Sequence, residues 1–229
     1  MVHKEQIRIV PGARNAVLFI HGIVGTPNHF VTQIPLVDLV PENWSVYNLL
    51  LDGHGGSVTD FSHTSMKKWK EQVWRVFHSL AETHEHIMIA AHSMGTLFAI
   101  QLAIESPEKI SELFLVAVPL RPRIRLFGIV NCLRLAFGKI REDHPLEVAT
   151  RNASGVITTR KLWQYLGWLP RFLELFAEII RTEKVMGKLR ISCMAFQSKK
   201  DELVSNRSRR VLEKCGEIKI IDLYESSHF

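Results

Sequence analysis

The sequence predicts an α/β fold, a mainly parallel central sheet flanked by helices. Short apolar runs of strand length alternate with segments of helical period along most of the chain. A single stretch, 121–187, breaks the alternation with helix-like, arginine-rich sequence and no strand, which reads as an inserted helical lobe. At 229 residues, 46% hydrophobic and 23% charged, the chain has the length and apolar content for one domain with a sizeable core. Disorder, collagen-like repeats and coiled coil are excluded.

Seven runs are expected as strands: Ile7–Val10, Ala16–Ile20, Ser45–Leu51, Ile87–Ala91, Leu113–Val118, Ile191–Phe196 and Ile218–Leu223. Lys4, Arg8 and Arg14 precede the second run, as in a secretory leader. Only five apolar residues follow before His21, and no small-residue cleavage site appears, so a buried strand is expected there. The clearest helix carries Met66, Trp69, Val73, Val76, Phe77 and Leu80 at steps of three and four, and its aromatic residues read as core. Within the insertion, Leu162 to Ile180 holds Trp163, Tyr165, Trp168, Phe172 and Phe176, with Pro170 breaking or kinking the helix. The expected organisation is a core from 1–120 and 188–229 carrying an inserted helical lobe at 121–187.

The charge is uneven. Twelve basic and six acidic residues fall in 121–187, whereas the remainder balances at 17 against 17, so the whole formal charge of +6 lies in the insertion. Such a surface draws anions, and a solvated helical face is its plainer explanation. No nucleic acid is expected as a partner. The three cysteines, Cys132, Cys193 and Cys215, form no CxxC or metal-ligand spacing, which suits a reducing compartment. No apolar stretch approaches the ~20 residues of a membrane span. A cytoplasmic protein is expected, with no metal, no cofactor and no obligate protein partner.

Ala91-His92-Ser93-Met94-Gly95 follows an apolar strand and opens the helical pattern from Thr96 to Ala103. A sharp strand-to-helix turn with small residues two positions either side of a serine is the setting of a nucleophile elbow, and it would lift Ser93 to the sheet edge. The backbone N–H of Met94, at the helix start, would face negative charge developing on an attacked carbonyl oxygen. The loop His21-Gly22-Ile23-Val24-Gly25-Thr26-Pro27, directly after the second strand, offers Ile23 N–H as a second donor, and it also serves as a tight turn.

Serine needs a base, and a neutral histidine held by a carboxylate supplies one near pH 7. Among eleven histidines, His228 is favoured because it follows the last strand, and Asp201 because it follows the strand before it, in the order serine, acid, histidine. Asp222, Glu225 and Glu202 remain rival acids. His84-Glu85-His86 lacks the spacing that puts two histidines on one helical face and reads as a solvated turn. His54 lies in the glycine-rich stretch Asp52-Gly53-His54-Gly55-Gly56-Ser57, without a GxxxxGK[ST] or GxGxxG phosphate loop.

In HGIVGTPNHF at 21–30, DGHGGS at 52–57, AHSMGT at 91–96, KKDELV at 199–204 and SSHF at 226–229, the chain resembles the α/β-hydrolase superfamily. Within it, the similarity is to the lid-bearing bacterial carboxylesterase and monoacylglycerol lipase group. The resemblance implies Ser93, Asp201 and His228 as a triad, Ile23 and Met94 as oxyanion donors, and 121–187 as the lid. It implies hydrolysis of carboxylic esters, short-to-medium acyl or monoacylglycerol-like. Thioesterase, acyltransferase or small-peptide hydrolase chemistry, or a non-catalytic ligand-binding role, are its alternatives. Two features depart from the pattern: Ala91 replaces the first glycine of GxSxG, and the chain ends at Phe229 where relatives continue into a closing helix, leaving His228 on a less anchored tail. The lid aromatics Trp163, Trp168, Phe172 and Phe176 are expected to line the groove for a lipophilic small-molecule ester. The lid arginines are expected to give weak contact with an anionic membrane surface.

Overall fold

The computed structural model describes residues 3–121, 155–201 and 203–224. His228, Glu225, Glu202, Cys132 and positions 122–154 of the expected lid lie outside the described residues.

Seven strands form one sheet: β1 (Gln6–Arg8), β2 (Asn15–Ile20), β3 (Ser45–Leu49), β4 (His86–His92), β5 (Ile110–Val116), β6 (Cys193–Ser198) and β7 (Ile218–Leu223). Their order is β1-β3-β2-β4-β5-β6-β7, and only the edge pair β1–β3 is antiparallel. Every expected strand is present, with bounds shifted by up to three residues. Alternation sorts the side chains to two faces, as the pleat requires. Ala16, Leu18 and Ile20 of β2, Ile87, Ile89 and Ala91 of β4, Leu113 and Leu115 of β5, and Cys193 and Ala195 of β6 enter the main core. Val17, Phe19, Val46 and Ala90 face the other way, under Phe30, Leu36, Val37, Val40 and Trp44.

The main core is closed by helices. In α1 (Val58–Ser62), Ser57 Oγ accepts from Asp60 N, and the Asp60 carboxylate accepts from Ser57 N at 2.7 Å. This reciprocal cap holds the Asp60 carboxyl below its ordinary range. In α2 (Met66–Thr83), the apolar residues read from the sequence as one stripe are all buried. The next helix, α3 (Met94–Glu105), is buried from Met94 through Ala103, as expected of a helix apolar on every side.

After 122–154, the chain forms a 3₁₀ helix, Leu162–Trp168, and then α4 (Leu169–Val185). Pro170 sits in the first turn of α4, where its missing N–H costs nothing, so it starts this helix after the 3₁₀ turn. The acidic side chains of α4 turn inward. Glu174 accepts Met66 N at 2.9 Å, at the start of α2, and Glu178 accepts Gln101 Nε2 of α3 at 2.7 Å. Glu183 pairs with Arg121. A short helix, α5 (Arg207–Leu212), precedes β7.

One expectation fails. His84 is not in a solvated turn but is buried, its ring within 2.8 Å of Ser45 Oγ and 3.0 Å of the Leu80 carbonyl. Both ring nitrogens find partners there, which removes the cost of burying an imidazole. Glu85 beside it is exposed and pairs with Arg14.

Candidate active site

Ser93 joins β4 to α3 with φ +50° and ψ −120°, a region L-residues rarely adopt. Its N–H donates to the Val116 carbonyl at 2.9 Å, and its carbonyl accepts Thr96 N at 3.0 Å and Thr96 Oγ1 at 2.6 Å. These bonds hold the strained turn from both sides. The small residues around it are sterically required. A Cβ on Gly95 would overlap the carbonyl oxygens of Ile20 and His21, and one on Gly22 would lie 2.9 Å from Ser93 Cβ. Ala91, at the position of the family's first glycine, is fully buried in β4 between Ile20 of β2 and Leu115 of β5, so one methyl fits there.

Among the described residues, the non-glycine residues with positive φ are Val24, Ser93 and Ala117. They follow β2, β4 and β5, three neighbouring strands of the sheet. Backbone strain therefore gathers along one stretch of the sheet's carboxyl edge, where open α/β sheets place their ligands.

Met94 is the first residue of α3, so its N–H has no acceptor within the helix. Ile23 is the neighbour of Gly22, which touches Ser93. Its loop is pinned by two buried histidines. Leu51 N donates to His21 Nε2 at 3.1 Å, and His21 Nδ1 lies 2.8 Å from the Gly22 carbonyl. Val24 N donates to His54 Nε2 at 3.1 Å, and His54 Nδ1 lies 3.2 Å from the Asp52 carbonyl. A carbonyl only accepts, so each ring carries its proton on Nδ1 and is neutral. Burial holds His21 well below its ordinary pKa, with His54 adding to the effect, and pushes His54 down to about 4. The sequence singled out the His54 stretch for its glycines alone. A histidine between strand ends as a brace for the opposite loop leaves no local signature.

Asp201 follows β6, the neighbour of β5, and is 3% exposed. Its Oδ1 accepts Leu203 N at 2.8 Å and Val204 N at 2.7 Å, which fixes the carboxylate. The rival Asp222 lies within β7, opposite Gln197, and is paired with Arg209 of α5. Burial raises the Cys193 thiol to about 12, which removes it as a competing nucleophile.

Of the four lid rings, Trp163 is 66% exposed. Trp168 packs against Phe61 in a tilted arrangement, 4.8 Å between centroids, and donates from Nε1 to the Val58 carbonyl at 3.1 Å. Phe172 lies 6.5 Å from Trp168, and Phe176 is half-buried against the main core. This packing docks 162–176 onto α1 and the core. Among the described residues, no group of three or more histidine, cysteine, aspartate or glutamate side chains is placed to hold a metal ion, and no helix is long and apolar enough to cross a membrane.

A family model described as serine aminopeptidase, S33, matches residues 11–227. The chain belongs to this family of α/β-hydrolases. Solved structures with the S33 chain's fold include a metagenome-derived lipolytic enzyme, with a TM-score of 0.69 and 17% identity over 96% of this chain and 91% of that one. A monoacylglycerol lipase of Paleococcus ferrophilus gives 0.67 and 19% over 100% and 91%. A carboxylesterase structure of Nitrososphaera gargenis gives 0.68 and 14% over 98% and 86%. At these identities the likeness is one of fold. The chain is also 31% identical, over 107 residues, to the dihydrolipoyllysine-residue acetyltransferase component of an acetoin cleaving system from Cupriavidus necator. That stretch is 46% of this chain and 27% of the relative, so the chain matches only about a quarter of that protein.

Proposed function

We propose that this S33-family chain is a serine hydrolase that cleaves carboxylic esters through an acyl-enzyme. Ser93 Oγ attacks the ester carbonyl carbon while His228 takes its proton, and the carbonyl π electrons move onto oxygen. The N–H groups of Met94 and Ile23 stabilise that oxyanion. Collapse breaks the bond to the alkoxy oxygen, which leaves as the alcohol with the proton from His228. Water activated by His228 then attacks the acyl-enzyme, releasing the acid and restoring Ser93. Asp201 orients His228 and stabilises its protonated form.

The observation that carries this reading is the strained Ser93 turn, with Gly22 so near that a Cβ there would lie 2.9 Å from Ser93 Cβ. This closeness supports Ile23, next to Gly22, and Met94, next to Ser93, as the two donors. No cofactor is needed for these steps.

The substrate class follows from the segment after 155. Leu162, Trp163, Leu166, Leu169, Leu173 and Ile180 are 42–73% exposed on one run of helical turns. The glutamates of α4 are engaged inward or with arginine, whereas Arg160, Lys161 and Lys184 are exposed without a carboxylate partner among the described residues. An apolar strip bordered by cations suits a lipophilic ester presented at an anionic membrane surface. In this reading 121–187 is the lid, and Trp163, Trp168, Phe172 and Phe176 contribute to the acyl groove.

The test is a panel of p-nitrophenyl esters of rising acyl length, with a thioester and an aminoacyl p-nitroanilide for comparison, run on wild type and Ser93→Ala. Ester turnover that survives Ser93→Ala, or fluorophosphonate label recovered on a residue other than Ser93, defeats the reading.

A further inference from the structure

The backbone of Gly155–Ile157 runs between two loops at the carboxyl edge of the sheet. Gly155 N donates to the Val24 carbonyl at 2.6 Å, and the Gly155 carbonyl accepts Gly55 N. Ile157 N donates to the Gly56 carbonyl at 2.8 Å, and Ile157 forms an isolated parallel bridge with Ser57. His54, next to Gly55, accepts Val24 N at 3.1 Å. The bonds close a circuit: from Val24 through Gly155 to Gly55, along the chain to His54, and back to Val24.

Val24 is the residue that needs such restraint. Gly25 N donates to the Gly22 carbonyl at 3.1 Å, so Val24 is the third residue of the turn that carries Ile23. Its φ is +60°, a value that turns of this kind normally assign to glycine or asparagine and that a β-branched side chain resists. Both Val24 backbone groups are bonded within the circuit, its N–H to His54 and its carbonyl to Gly155. Only glycine at 155 allows the approach, because a Cβ there would overlap the Gly25 carbonyl oxygen and the Thr26 methyl group.

We propose that Gly155–Ile157 is a strap that holds the oxyanion loop in its working shape, and that Gly155 is a positioning residue for transition-state stabilisation. The proposal rests on Ile23 as an oxyanion donor. Without the strap, Val24 relaxes toward negative φ, the Gly22–Gly25 turn re-forms, and Ile23 N–H leaves the oxyanion position. The strap also joins the two halves of the substrate site. It leads into the 3₁₀ helix that carries Trp168, and Trp168 packs against Phe61, itself 5.1 Å from His54 between ring centroids. The segment that would seat the acyl chain is thereby coupled to the loop that would receive the oxyanion.

Three variants test the strap: Gly155→Ala, Val24→Gly and the double variant, each assayed for kcat, KM and inhibition by a trifluoromethyl ketone, whose adduct places an oxyanion in the hole. Gly155→Ala should lower kcat by about 10- to 100-fold with KM within about 3-fold, and weaken the ketone by a matching factor, as loss of a transition-state contact does. Val24→Gly takes positive φ without strain and should recover about 5-fold or more of kcat in the Gly155→Ala background. If Gly155→Ala fails to fold, Ile157→Pro, which removes only the bond to Gly56 and changes an exposed side chain, should show the same split on a smaller scale. Unchanged kcat, an unchanged ketone constant, or no recovery by Val24→Gly overturns the strap. Those results on a wild type that fluorophosphonate labels at Ser93 leave the hydrolase reading standing, whereas a wild type unlabelled at Ser93 fails both.

Discussion

Arg209 and Asp222 form an ion pair between α5 and β7 that leaves Asp222 engaged within its own corner of the sheet. Asp201 is held instead by two backbone N–H groups beside the strained edge. The two carboxylates therefore predict different outcomes. Asp201→Asn keeps the size but reverses an acceptor, and should lower kcat by about 10²- to 10⁴-fold. Asp222→Asn should leave kcat within about 3-fold and reduce stability by about 1 kcal/mol or less, because the lost pair is partly exposed and screened. Steady-state kinetics and urea melts on both variants decide it, and greater loss of activity from Asp222→Asn would reject Asp201 as the acid.

Ser93 holds a backbone conformation, φ +50° and ψ −120°, that L-residues rarely adopt. Ser93→Gly and Ser93→Ala should both abolish ester turnover, yet they should part in stability. Glycine accepts φ +50° and alanine does not, so Ser93→Gly should be more stable than Ser93→Ala by about 1 kcal/mol. Thermal melts that rank alanine level with or above glycine would show that this turn carries no strain cost.

The strand pattern was legible because each core strand is a short apolar run, and the limits of that legibility are local. β5 was expected to run to Val118 but ends at Val116: Ala117 N still donates to the Phe196 carbonyl, and its φ of +55° then turns the chain out of the strand. Alanine gives no hint of that conformation. Ser93, Gly22 and Asp201 were readable because a turn, a small neighbour and a position after a strand are sequence-local properties. Val24 was not, because its positive φ is imposed by His54 and Gly155, 30 and 131 positions away in the chain. His84 was misjudged for the same reason, its partner being Ser45 on another strand.

The two neutral imidazoles behind the Ile23 loop predict acid sensitivity. His54 has a folded pKa of about 4 against an ordinary 6.5, and His21 is lowered as well, so the unfolded chain binds more protons than the folded one between those values. Stability from these groups is fully present above pH 6.5 and is lost as pH falls toward 4, by about 3 kcal/mol for His54 alone. Urea midpoints measured from pH 7.5 to 4 should fall over that window, and in His54→Asn the slope should be shallower. A His54→Asn slope equal to that of wild type would contradict a neutral, buried His54.

The apolar strip from Leu162 to Ile180 carries the last prediction, that acyl length and surface charge act on different parts of one segment. If Trp168, Phe172 and Phe176 line the acyl groove, each CH₂ that enters it should add up to ~0.8 kcal/mol to transition-state binding. The specificity constant should then climb through short and medium p-nitrophenyl esters and level off when the groove is full. In the proposed reading the strip and its cations should act before this step, by drawing the protein to the lipid. Co-sedimentation with vesicles containing an anionic phospholipid should exceed that with zwitterionic vesicles, and should weaken as salt rises from 0.05 to about 0.5 M, where screening shortens to a few ångströms. Leu166→Ser with Leu173→Ser should weaken vesicle binding by about 10-fold or more while turnover of a soluble short ester stays within about 2-fold, since both side chains point to solvent. Specificity that peaks at acetate would remove the lipophilic groove. Equal binding to anionic and zwitterionic vesicles would remove the cationic border, and neither result would touch the assignment of Ser93.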